Sequence, residues 1–253
     1  MNKHLLETLP KPLVFAHRGA SKYAPENTLA SFRLAIEQGA RAIELDAMLS
    51  ADNKVVVIHD STLNRTTNSE GEVNKCPLLE IKKLDAGSWY SEEYSCETIP
   101  LLEEVLEEFG GECLLNIELK NYHSPKDLLI EEVATLVNKM HLQNSVMFSS
   151  FLPVNIRKIK RRLIGARVAL LALSGLPGNV MRSFFFQSLS PEFIHIAFQD
   201  VSGEYIRKEH KRGRRVHVYT VNDAKLMQDL FEAGVDGIFT NDPRLAFDVL
   251  RIN

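Results

Sequence analysis

The sequence predicts an α/β fold of the (β/α)8 class, a TIM barrel forming a single domain over residues 1–253 with a small insertion after the second strand. Three observations predict it. Short apolar runs alternate with amphipathic stretches from one end of the chain to the other. Eight such pairs are present, and alternation at this spacing implies parallel strands joined by right-handed crossovers. The 253 residues also match the ~250 that one such barrel uses. A doubly wound open sheet is the competing topology, but no glycine-rich dinucleotide turn follows the first strand.

Leu13–Ala16 reads as a buried first strand and Thr28–Gln38 as a helix closed by Gly39. Ala42–Leu49 is the second strand. Val55–Ile58 is a further β-branched run, expected to form a hairpin with it. Residues 60–99 break the rhythm: they are polar, contain Gly71, Pro77 and Gly87, and are too long for a plain barrel loop. The alternation resumes with helix Leu101–Phe109 and strand Cys113–Lys120, then helix Pro125–Met140 and strand Val146–Ser150. Helix Val154–Leu163 precedes strand Arg167–Leu173, and helix Val180–Leu189 precedes strand Phe193–Phe198. Helix Gly203–Arg212, strand Arg215–Thr220, helix Ala224–Ala233, strand Gly237–Thr240 and helix Pro243–Leu250 complete the count.

Composition excludes several function classes. Thirty basic against 33 acidic residues give a net charge of −3, which argues against a general polyanion binder and so against nucleic acid as a partner. No apolar run reaches the ~18–20 residues of a membrane span. Met1–Pro12 has no apolar core of the signal-peptide kind. The three cysteines, Cys76, Cys96 and Cys113, are odd in number and lack CxxC spacing. That pattern suggests neither a disulfide framework nor a zinc site, and a cytoplasmic location is the expectation.

Chemistry in this fold gathers where the strands end. The first strand ends in His17-Arg18-Gly19. In the second, Glu44 and Asp46 alternate with Ile43 and Leu45, so the two carboxylates share a face. Two like charges held together are costly unless a cation joins them. The strand Asn116-Ile117-Glu118-Leu119-Lys120 repeats the device. With Glu118, the carboxylates make an oxygen-only ligand set suited to Mg²⁺ or Ca²⁺, with Mn²⁺ also accommodated. Arg18 and Lys120 place two cations beside it, as an anionic substrate requires. His17 and His59 supply two imidazoles, enough for a paired general acid and base. The other six histidines lack such company and are read as surface or packing residues, with His195 and His217 set apart because they lie on strands.

Those residues, in that order, resemble the glycerophosphodiester phosphodiesterase family. The similarity runs through His17-Arg18-Gly19, Pro25-Glu26-Asn27-Thr28, Glu44-Leu45-Asp46, His59-Asp60, Asn116–Lys120, Ser150-Phe151, Tyr219–Asn222 and Asp236–Asn241, nearly the whole chain. The resemblance implies hydrolysis of glycerophosphodiesters to glycerol 3-phosphate and a free alcohol. It implies a divalent metal on Glu44, Asp46 and Glu118, acid–base roles for His17 and His59, and phosphate contacts from Arg18 and Lys120. Residues 60–99 look like the family's capping insertion, which helps to hold the glycerol end.

Tyr219 stands where the family often has tryptophan, so the substrate wall keeps a ring of different shape and polarity. Glu26 is expected to orient Arg18 or its loop rather than to bind metal, with Asn27 beside it in support. One alternative is a lysophospholipase D acting on lipid-tailed diesters, with Ser183–Phe186 as a tail grip. Another is a non-catalytic phosphate-binding barrel, which predicts a replacement at one of the five metal and histidine positions; all five are present.

Overall fold

Strands flanked by helices on their outer face bury both of their own faces, and the sheet order follows from that. A computed structural model describes residues 3–252. The strands are β1 (Leu13–His17), β2 (Ala42–Leu49), β3 (Val55–Val57), β4 (Leu114–Leu119), β5 (Val146–Ser150), β6 (Arg167–Ala172), β7 (Phe193–Ala197), β8 (Arg215–Tyr219) and β9 (Gly237–Thr240). All except β3 pair in parallel in chain order, and β1 pairs with both β2 and β9, which closes an eight-stranded barrel.

β2 is longer than its neighbour. β1 ends opposite Glu44, and the edge of β2 beyond that point is taken by antiparallel β3, with Ala47 opposite Val57. The backbone N–H of Ile58 still bonds to the Asp46 carbonyl at 3.0 Å. β3 therefore runs back toward the barrel mouth and delivers His59 there.

Outward-facing Ile, Leu and Val side chains pack beneath the helices. The inward face grades from apolar to polar. Its lower end is filled by Leu13, Phe15, Leu114, Met147, Phe193 and Phe239, sealed from below by Leu6 of a short helix, Leu5–Thr8, that the sequence pattern did not reveal. The next inward positions are Glu44, Asn116, Ser149 and His195, all buried.

Two helices differ from expectation. The helix expected over Pro125–Met140 starts only at Leu129. Asp127 accepts from Asn121 Nδ2 and Ser124 Oγ, each at 2.7 Å, and its Oδ1 caps Leu129 N–H at 3.1 Å, so residues 121–127 form a turn. The helix expected over Val180–Leu189 is instead two short helices, Gly175–Met181 and Phe184–Gln187. Ser183 separates them in an extended conformation, the backbone state serine favours at a helix start. Phe186 packs half-buried against the outer core, while the side chains of Phe184 and Phe185 lie outside the described residues. All three cysteines are free thiols.

His195 and His217 belong to the barrel interior. Their rings are fully buried among Phe15, Phe193 and Phe239. Burial holds His195 well below the ordinary imidazole range and His217 down to about 3. The unfolded chain takes up these protons near pH 6.5 and the folded chain resists them, so stability is complete above that pH and is lost as pH falls toward 3. Urea unfolding should therefore show stability dropping by about 2 kcal/mol for His217 alone between pH 7 and pH 5. A flat profile over that interval would contradict a buried neutral imidazole.

Candidate active site and metal centre

The first of the candidate residues lie where β1 stops. Arg18 turns out of the strand at φ 56°, an uncommon conformation for a residue with a Cβ. Its N–H is held by the carbonyl and by Oε2 of Glu44, both at 3.0 Å. Gly19 follows at φ 85°, where an added Cβ would come within 2.3 Å of Ser31 Oγ. The side chain of Arg18 then reaches Glu26 at 2.9 Å and Asp46 at 3.2 Å. Glu26 thus contacts Arg18 rather than the carboxylate cluster. Asn27, also left-handed at φ 59°, donates from Nδ2 to Asp46 Oδ2 at 2.9 Å.

Glu44, Asp46 and Glu118 converge: each offers an oxygen within 4.8 Å of the others. The register explains it. Asp46 lies opposite Glu118 and Glu44 opposite Asn116, so one face of two adjacent strands carries all three. Burial, together with Asp46 and Glu118, raises Glu44 well above the usual carboxylate range. Burial would raise Asp46 too, but Lys120 and Arg18 outweigh it and hold that group well below its ordinary value. Lys120 Nζ sits 3.5 Å from Asp46 and 3.4 Å from Glu118.

The donor set fits a hard cation. Each carboxylate commits one oxygen to a protein donor: Glu44 to Arg18 N–H, Asp46 to Asn27, and Glu118 to Tyr122 Oη at 2.5 Å. The remaining Asp46 oxygen is buried without a hydrogen-bond partner among the described residues. With all three carboxylates ionised, as metal binding requires, their charge exceeds that of Arg18 and Lys120 by one. A divalent ion would turn that into a surplus of one positive charge, which a phosphodiester monoanion cancels.

Both histidines flank this centre. His17 Nδ1 meets Asn241 Oδ1 at 2.7 Å, and its Nε2 lies 3.9 Å from Glu44. Burial, helped by Arg18, pushes His17 down to about 4. His59 Nδ1 meets Asp60 Oδ1 at 2.6 Å. Asp60 is held down to about 2, chiefly by its bond to Arg65 at 2.6 Å, and Arg65 grips Glu26 with two bonds of 2.8 Å. Tyr219 donates to the Ala172 carbonyl at 2.6 Å and meets Phe151 edge to face, walling a cavity of about 260 Å³. His17, His59, Glu44 and Glu118 line that cavity.

A sequence profile of the glycerophosphoryl diester phosphodiesterase family matches residues 17–245. The chain belongs to that family. It is a phosphodiesterase, a hydrolase of phosphoric diesters. The glycerophosphodiester phosphodiesterase of Caldanaerobacter subterraneus subsp. tengcongensis is 38% identical, over 95% of this chain and 98% of its own. Among solved structures, a phosphodiesterase of Oleispira antarctica, in complex with the product sn-glycerol-3-phosphate, superposes with a TM-score of 0.87 at 32% identity. It covers 97% of this chain and 98% of its own. The glycerophosphodiester phosphodiesterase of Agrobacterium tumefaciens C58 gives a TM-score of 0.78 at 31% identity, over 92% of this chain and 98% of its own.

Within this phosphodiesterase fold, all ten residues singled out in the sequence lie at or beside one barrel mouth. Four further contributors did not emerge from sequence reasoning. Tyr122 extends the alternation of Glu118 and Lys120 by one step, a readable signal. Asn241 sits inside a matching segment, and Asp60 adjoins His59. Arg65 carried no signal, because its two partners come from different loops.

Gly19 offers a test of this local geometry. Gly19→Ala should lower stability by about 1–3 kcal/mol, the usual cost of a forced left-handed residue, and more if Ser31 cannot shift. Chemical unfolding measures it; an unchanged midpoint would mean that the turn carrying Arg18 is relaxed.

Proposed function

We propose that this phosphodiesterase hydrolyses glycerophosphodiesters to glycerol 3-phosphate and an alcohol, with a divalent cation on Glu44, Asp46 and Glu118, His17 as general base and His59 as general acid. The observation that carries the reading is the convergence of three carboxylates within 4.8 Å, with two imidazoles lining the same cavity. The ion, Mg²⁺, Ca²⁺ or Mn²⁺ by its oxygen ligands, would neutralise phosphate oxygens and ease deprotonation of the attacking hydroxyl. Arg18 and Lys120 bind the remaining phosphate charge.

The roles of the two histidines follow from their surroundings. His17, depressed by burial, is neutral near pH 7. With Nδ1–H given to Asn241, its Nε2 is an acceptor, ready for the proton of water or of the glycerol hydroxyl next to the phosphate. His59 leans on Asp60, which orients the ring and balances its charge once protonated. His59 and Lys120 also line a second, wider groove of about 740 Å³, which His17 does not reach. We assign that groove to the departing alcohol, which His59 protonates. Asp60, Ser61, Thr62, Glu72 and Asn74 form part of its wall, which supports reading residues 60–99 as a cap, here over the departing alcohol rather than the glycerol end.

The lipid-tailed alternative draws support from a different set than Ser183–Phe186. Leu173, Leu176 and Val180, exposed just after β6, would be its tail grip. Co-sedimentation with phosphatidylcholine liposomes, lost in Leu176→Ser, would favour it; no sedimentation would remove it.

EDTA should abolish release of glycerol 3-phosphate from glycerophosphocholine, and added Mg²⁺, Ca²⁺ or Mn²⁺ should restore it. Absence of release with every ion would overturn the proposal. His17→Ala and His59→Ala should each slow turnover by about 10²–10⁴. A diester with a p-nitrophenolate leaving group needs no protonation, so it should restore most of the rate to His59→Ala and little to His17→Ala. The reverse pattern would exchange the two roles.

A further inference from the structure

A barrel interior is ordinarily packed solid with apolar side chains. Here the cavity beneath the carboxylates continues inward, past Glu118, to a floor formed by Asn116, Ser149, Leu171, His195 and Phe239. Two fully buried polar atoms on that floor have no partner among the described residues. Asn116 donates to Ser149 Oγ at 3.0 Å but its Oδ1 is unpaired. His195 Nε2 meets His217 Nδ1 at 3.2 Å, leaving His195 Nδ1 unpaired. Buried polar groups are seldom left so, because each costs as much as a lost hydrogen bond.

The chemistry of the two atoms defines what would satisfy them. Asn116 Oδ1 can only accept. His195 Nδ1 donates when His217 Nδ1–H points at Nε2, and accepts in the opposite tautomer. A hydroxyl has one proton to donate and lone pairs to accept, so it can donate to Asn116 Oδ1 while accepting from His195 Nδ1–H, the tautomer in which His217 Nδ1–H points at Nε2. An ammonium group cannot accept and a carboxylate cannot donate. Phe239 and Leu171 close the space beside them.

We propose that this floor is a hydroxyl-recognition subsite, in which Asn116 and His195 bind the far hydroxyl of the polyol arm of a diester whose phosphate lies at the carboxylate centre. The proposal rests on the phosphodiester reading above. His217 is a positioning residue that holds the His195 ring and its tautomer. The whole cavity, near 260 Å³ from mouth to floor, is large enough for a three-carbon polyol phosphate.

The test compares sn-glycerol 3-phosphate with propane-1,2-diol 1-phosphate, which keeps the hydroxyl next to the phosphate and lacks only the far one. Calorimetric titration of the Mg²⁺-loaded enzyme should show the glycerol compound bound about 10- to 100-fold more tightly, the range for stranding a buried polar group. Kinetics on the matching choline diesters should show the same preference in kcat/KM. Asn116→Leu and His195→Phe should erase it, bringing the two compounds within about threefold, while affinity for inorganic phosphate is retained. Equal affinity of wild type for the two phosphates would mean that the floor holds water only, and would overturn the proposal. So would a preference that persists in both variants. If either variant fails to fold, the wild-type comparison still decides. If wild type binds the phosphates with preference yet hydrolyses neither diester with any ion, the subsite stands and the catalytic reading falls.

Discussion

Three carboxylates forced within a few ångströms of one another on adjacent parallel strands are the constraint on which the rest of the molecule turns. Parallel register fixes it. Once β2 pairs with β4, Asp46 must oppose Glu118 and Glu44 must sit one step below. The repulsion is met by donors recruited from several directions: the twisted backbone at Arg18, the amide of Asn27, the phenol of Tyr122 and the ammonium of Lys120. Left-handed backbone at Arg18 and Asn27 is tolerated because each conformation aims a donor at a carboxylate.

Around that centre the charges form one connected chain. It passes from His59 through Asp60, Arg65, Glu26 and Arg18 to Asp46. Each acid in it lies between two bases or donors, so no charge relies on a single contact. A network of this kind fixes the relative placement of the two imidazoles, although one comes from a barrel strand and the other from a hairpin outside the barrel.

Much of this was legible in the sequence. Strand boundaries came out within a residue because buried β-branched runs flanked by turn residues leave little choice. Period-two spacing revealed the shared face of Glu44 and Asp46 and that of Glu118 and Lys120. Helix ends were less readable. Asp127 and Ser183 act through local side-chain or backbone geometry that competes with helix propensity, and periodicity does not report it. The helix at Leu5–Thr8 is too short to show a period. Arg65 was hidden because its meaning lies wholly in tertiary placement. His195 and His217, read as surface or packing residues, are buried in the barrel; a histidine on a strand reads alike whether it fills a core or floors a chamber.

The hairpin that carries His59 has an evolutionary implication. β3 fills an edge that barrel closure does not use, so the barrel's hydrogen-bond circuit is complete without it. The proposed general acid, His59, thus travels on a module that can lengthen, shorten or be exchanged while the scaffold stays intact. Diversification of the outer groove is thereby uncoupled from the folding of the catalytic core.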